Sequence, residues 1–216
     1  MKKLFVAIRN GNLELVKELL EKKPELISCT AKQPPKKDDG QSPLQVAIKS
    51  GNPDIAEYLL DLGADVNFME QESCNEWRMP VVHDAIMAAV RCSRYIYLPW
   101  GEKEWKLCRT KDQSDKAFHI LERMFEKQAN INGHDSYGIS CLGRAILDAR
   151  QILPSYNYVE KKLEDKPLND ELNEDLTRIF NLLLKQGANI NEVDPRLGQS
   201  LSEFYSKEPV AQFFLK

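Results

Sequence analysis

The chain has 216 residues, 42% apolar and 29% charged, with a net charge of −3. That is an ordinary globular composition, without the basic excess expected of a general nucleic-acid or anionic-membrane binder. No apolar run approaches the roughly 18–20 residues that span a bilayer, and Arg9 interrupts the apolar stretch behind Lys2-Lys3 too early for a secretion signal. A cytoplasmic protein without Sec-type export is expected, and the five unpatterned cysteines (Cys29, Cys74, Cys92, Cys108, Cys141) suit a reducing compartment.

Taken in chain order, the sequence repeats itself. Leu4, Ala7, Gly11, Asn12, Leu15, Leu19 and Leu20 lie 40 positions before Leu44, Ala47, Gly51, Asn52, Ile55, Leu59 and Leu60. Within the second unit, Leu44, Ala47 and Ile48 make one apolar helical face, and Ile55, Leu59 and Leu60 make another. Gly51-Asn52 breaks the chain between the two predicted helices. Gly63 suits the left-handed position just past the second. The stretch between the first two units, with Pro34-Pro35-Lys36-Lys37, reads as a mobile loop. A third unit opens at Pro80-Val81-Val82-His83-Asp84-Ala85 and closes at Gln128-Ala129-Asn130-Ile131-Asn132. A fourth opens at Tyr137-Gly138-Ile139-Ser140-Cys141-Leu142 and closes at Gly187-Ala188-Asn189-Ile190-Asn191. Residues 197–215 read as a partial fifth unit.

This pattern resembles the ankyrin repeat, a unit of about 33 residues with a β-turn, two helices and a T-P-L-H-x-A signature. The signature reads Ser-Pro-Leu-Gln-Val-Ala at 42–47 and Pro-Val-Val-His-Asp-Ala at 80–85. The expected fold is all-α: one solenoid domain over 1–216, with repeats at about 1–27, 39–67, 79–132 and 137–191 and a partial repeat at 197–215. Neither helix of a unit buries its face alone, so stacked neighbours must supply the core. The resemblance implies a structural, hydrogen-bonded role for His83.

Repeats three and four are too long. The excess is assigned to insertions at 91–117, inside 79–132, and at 150–176, inside 137–191. The first holds Tyr95, Tyr97, Trp100 and Trp105, and the second Tyr156 and Tyr158. Seven bases against four acids give the first a charge of +3; four against seven give the second −3. The two insertions are expected to lengthen helices and pack on each other, with aromatic burial dominating over charge.

No catalytic or metal-ligand spacing stands out. His83, His119 and His134 have no zinc-site pattern. Gly138-Ile139-Ser140-Cys141-Leu142-Gly143 lacks the glycine two residues after serine that a nucleophile elbow needs. The expected function is therefore non-catalytic protein binding, as an adaptor or inhibitor, by a monomer with no cofactor, metal, nucleic acid or membrane. The resemblance implies binding through hairpin tips and the inner helix face. The matching positions are Asp38, Asp39, Gln41, Trp77, Arg78, Met79, His134, Ser136, Tyr137 and Ile139, with Trp77 and Arg78 foremost because Trp, Tyr and Arg dominate interface energetics. The competing expectation is an enzyme or effector whose active site is built from the lobe 91–117/150–176.

Overall fold

The computed structural model describes all residues other than 158, 161, 164, 165 and 216. Tyr158, Lys161, Glu164 and Asp165 of the second expected insertion thus lie outside the described residues.

The periodicity becomes four helix pairs. They are α1 (Lys2–Arg9) with α2 (Leu13–Lys22), α3 (Pro43–Lys49) with α4 (Pro53–Asp61), α5 (Val81–Arg91) with α6 (Lys111–Glu126), and α7 (Cys141–Ile152) with α8 (Asp170–Lys185). Members of each pair touch, α1, α3, α5 and α7 stack in one row, and α2, α4, α6 and α8 stack in a second. A short α9 (Leu201–Phe204) and a 3-10 turn (Pro209–Phe213) close the stack against α7 and α8. There Phe180 stacks with Phe213 and Phe214 at 5.7 and 6.1 Å.

Local chemistry sets the element ends. Ser42 caps α3 by accepting from Gln45 N, while the Gln45 side chain accepts from Ser42 N, a reciprocal box that satisfies two otherwise orphaned donors. Ser140 caps α7, and Thr110 with Gln113 repeats the box at α6. The predicted core residues Leu44, Ala47, Ile55, Leu59 and Leu60 are all buried.

Glycine follows α4 and α8 with positive φ, at Gly63 and Gly187, but the matching position after α6 is Gln128, at φ 66°. A side chain there carries the steric cost of the left-handed region. Gln128→Gly should therefore raise stability by about 0.5–1 kcal/mol. Urea unfolding checks this, since Gln128 is exposed and loses no packing.

At each junction between pairs the chain makes a hairpin. Ala31 bonds Gly40 and Gln41 (2.9 and 2.8 Å), Met69 bridges Pro80, and His134 bridges Ser140. At the last junction Val193–Asp194 pairs antiparallel with Gln199–Ser200. The first junction is heavily bonded where a mobile loop was expected. A 3-10 turn spans Lys36–Asp38, and Asp39 accepts from Gln33 N at 3.1 Å and Cys74 N at 2.8 Å.

The segments expected as insertions take one common form, a two-stranded hairpin between the row-one and row-two helices. Strands β1 (Ile96–Tyr97) and β2 (Lys106–Leu107) pair in one, β3 (Tyr156–Asn157) and β4 (Lys162–Leu163) in the other. The rest of each segment is turn and loop, apart from the helix ends that flank it. Both α6 and α8 have 16 residues, against 10 and 9 in α2 and α4.

The two segments do meet, but not as expected. Arg94 binds Asp175 and Glu174, Asn169 donates to Arg94 O at 2.8 Å, and Arg178 binds Asp115 and Ser114 at 2.6 Å. Trp100 is fully exposed, and Tyr97 and Trp105 are also exposed. Ion pairing across the lobe joins the segments, and Tyr95 adds a cation–π contact with Lys166 at 5.8 Å, whereas Tyr97, Trp100 and Trp105 stand exposed on the first hairpin.

Candidate functional site

Two adjacent junction hairpins lock side by side. Ser136 N donates to Arg78 O at 2.8 Å, Arg78 N donates to Ser136 Oγ at 3.0 Å, and that hydroxyl donates to Glu76 O at 3.2 Å. Asp135 organises its own turn, its Oδ1 accepting from Tyr137 N and Ile139 N at 2.9 and 3.0 Å. Its Oδ2 accepts the Trp77 indole N–H at 2.8 Å. The Arg144 guanidinium lies 5.4 Å from the Trp77 ring centroid, within range of a cation–π contact. Trp77 keeps 37% of its surface exposed and Tyr137 51%. The result is a fixed aromatic and basic surface whose indole is already oriented.

The structure divides the ten sequence-predicted positions. Trp77, Arg78, Ser136 and Tyr137 converge on this surface, and His134 is exposed beside it, paired with Glu192 of the next junction. Asp38, Asp39, Gln41, Met79 and Ile139 are buried, which corrects their assignment as contact residues. Each has an internal task instead. Asp38 receives Arg9 at 2.9 Å, and Gln41 donates to Glu70 at 2.9 Å. Met79 O accepts from Gln45, and Ile139 N bonds Asp135. Hydrogen bonding from Cys74 N holds the Asp39 carboxyl below its ordinary range despite the opposing desolvation. Asp135 and Arg144, which orient Trp77, carry no local sequence signal: their partner is 58 or more residues away.

Between α3 and α5 lies a buried polar cluster. Gln45 Nε2 donates to Glu70, Met79 O and Asp84 at 3.2, 3.2 and 3.0 Å. Burial raises the Glu70 carboxyl and pushes Asp84 up to about 7. His83 is buried and faces Gly133 O at 3.1 Å, and burial lowers it to about 4, so it is neutral at pH 7. Burial pushes the Cys141 thiol up to about 12, the opposite of an activated nucleophile. Among the described residues no group of three or more His, Cys, Asp or Glu could hold a metal ion, and no helix is long and apolar enough to cross a membrane.

Mouse (Mus musculus) protein phosphatase 1 regulatory subunit 27 is 39% identical over 62 residues, which cover 29% of this chain and 36% of that protein. The chain thus spans about a third of the length of this curated relative. Residues 2–70 match the family described as ankyrin repeats, in three copies. The stacked two-row helical architecture agrees with such a solenoid over the matched residues 2–70.

Proposed function

We propose that the chain is a non-catalytic protein-binding module. It is read as a single ankyrin-type domain of four repeats and a partial fifth, with insertions at 91–117 and 150–176, acting as a cytoplasmic monomer. The partner contacts Trp77, Arg78, Ser136 and Tyr137. The observation that carries this reading is the pre-set Trp77, held by Asp135 at 2.8 Å and covered by Arg144, yet still 37% exposed. An aromatic fixed before binding loses little freedom on association. A regulatory subunit among the relatives supports an adaptor or inhibitor role over catalysis.

An active site in the lobe 91–117/150–176 finds less support. The carboxylates between its segments, Asp115 and Asp175, are held below their ordinary range and engaged by Arg178 and Arg94. A general acid there would need a raised one.

Trp77→Ala should weaken binding by about 2 kcal/mol, close to thirtyfold. The affinity is to be measured by calorimetry against the partner cross-linked in native cells, with Tyr137→Ala beside it. Full affinity in both folded variants would remove this surface from the interface.

A further inference from the structure

A second surface lies at the opposite end of the helix pairs from the junction hairpins. Between α3 and α4 the chain turns tightly through Gly51-Asn52, whereas between α5 and α6 it rises as the β1–β2 hairpin. Helix α6 packs against α4 with 16 residues to its 9, so its first turns overhang the second pair. The step leaves a cleft of about 670 Å³, within the range of about 300–1,000 Å³ common to ligand sites. Its lining comes from three helix pairs, from Gly11 through Asn52 to Lys116, so it is drawn out along the stack. Ile48 and Ile55 form a buried apolar floor, and Met87 and Ala88 are half-exposed above it.

Two polar atoms in this lining are unsatisfied. Arg109 Nε is buried and has no hydrogen-bond partner among the described residues. Asp84 is 2% exposed, and its Oδ1 likewise has none, although Oδ2 accepts from Gln45. Buried polar groups without partners are rare and point to a missing one. Other charges do not fill the gap. Lys116 is paired with Asp112 at 3.3 Å, Arg91 with Asp148 at 2.7 Å, and Lys49, whose charge acts on Asp84 without a hydrogen bond to it, donates to the Lys37 carbonyl at 3.1 Å.

We propose that this cleft seats an acidic, aliphatic segment of a partner protein, with a carboxylate on Arg109 and a main-chain amide group, which can donate or accept, on Asp84 Oδ1. A small anion would answer Arg109 alone. A peptide supplies the carboxylate, the amide and the aliphatic groups for Ile48, Ile55 and Met87 together, over the length the cleft offers. This site is separate from the Trp77 surface and does not depend on it.

The test selects phage-displayed random peptides on the full chain. One recovered peptide is then remade with fluorescein and its affinity read by anisotropy. Recovered sequences should combine Asp or Glu with Leu or Ile. The labelled peptide should bind at least about tenfold more weakly to Arg109→Gln, to the cleft-filling Ala88→Trp and to the exposed Lys49→Glu. It should bind Trp77→Ala unchanged. Circular dichroism confirms the fold of each variant, and Lys49→Glu serves if a buried substitution unfolds the chain. The proposal is overturned if no peptide is recovered, if the peptides lack acids, or if folded cleft variants bind as the parent does. Loss with Trp77→Ala alone would place the peptide on the hairpin surface and equally overturn the cleft, whereas failure of Trp77→Ala against the native partner would touch only the first surface.

Discussion

Asp175→Ala should destabilise the protein by about 3–5 kcal/mol, the cost of leaving a buried ion pair half-made. Asp175 has no exposed side-chain surface. Its Oδ2 accepts from Arg94 N and Nε at 2.9 and 3.0 Å, its Oδ1 from Arg94 Nη2 at 2.9 Å, and Arg178 stands 3.1 Å away. Without it, the Arg94 guanidinium keeps only the exposed Glu174. Desolvation, the largest influence on Asp175, would raise its carboxyl; the hydrogen bonds from Arg94 and Ser114 and the charge of Arg178 outweigh it and hold the group low. A lowered folded value means this stabilisation is present above the unfolded carboxylate range and is lost as pH falls through the folded one. Urea unfolding at pH 7 gives the magnitude, and a loss under about 1 kcal/mol would show that the pair does not join the segments. Trp100→Ala, by contrast, should change stability by less than about 0.5 kcal/mol, because a fully exposed ring has no packing to lose. The pair of results separates charge from aromatic burial as the source of cohesion in this lobe.

Asp84→Asn should act in the other direction and stabilise the protein at pH 8. Burial pushes Asp84 up to about 7, against the influence of Lys49, the Gln45 hydrogen bond and Arg91, while Glu70 adds to the rise. The unfolded carboxyl sits near 3.9. The folded chain therefore holds a proton that the unfolded chain releases. Its contribution is full below about pH 4 and is lost as pH rises through about 7. Three pH units correspond to on the order of 4 kcal/mol. Asparagine keeps the acceptor for Gln45 without a charge to desolvate. His83, lowered to about 4, contributes an opposite slope at acid pH, so the difference between wild type and variant is the informative quantity. That difference should widen from pH 5 to pH 8 in thermal melts, with the variant more stable at the upper end. Parallel pH profiles would mean that Asp84 titrates as an ordinary surface carboxylate.

How much of this was legible in the residues follows from the range over which each interaction acts. Helix faces, caps and turns depend on neighbours three or four positions apart. Leu44, Ala47 and Ile48, the Ser42–Gln45 box and the Gly63 turn could therefore be read directly from spacing. The repeat told which helices must stack, since no single pair covers its own apolar face. Trp77 and Tyr137 could be singled out as residue types suited to an interface.

Which of the ten chosen positions stay open was decided only by the tertiary structure. Asp38 is buried by Arg9 from the pair before, and Gln41 by Glu70 from the junction after, although neighbouring positions in the same hairpins are exposed. Arg94 and Asp175 lie 81 residues apart, and Trp77 and Asp135 lie 58 apart. Nothing in composition or period selects one acid among many as the partner of a given base, because that choice depends on packing distances and on which charges the fold removes from water. The net charges of +3 and −3 on the two segments told that they could attract. The packing of α5 and α6 on α7 and α8 decided that Arg94, and not the tryptophans, is the residue buried between them.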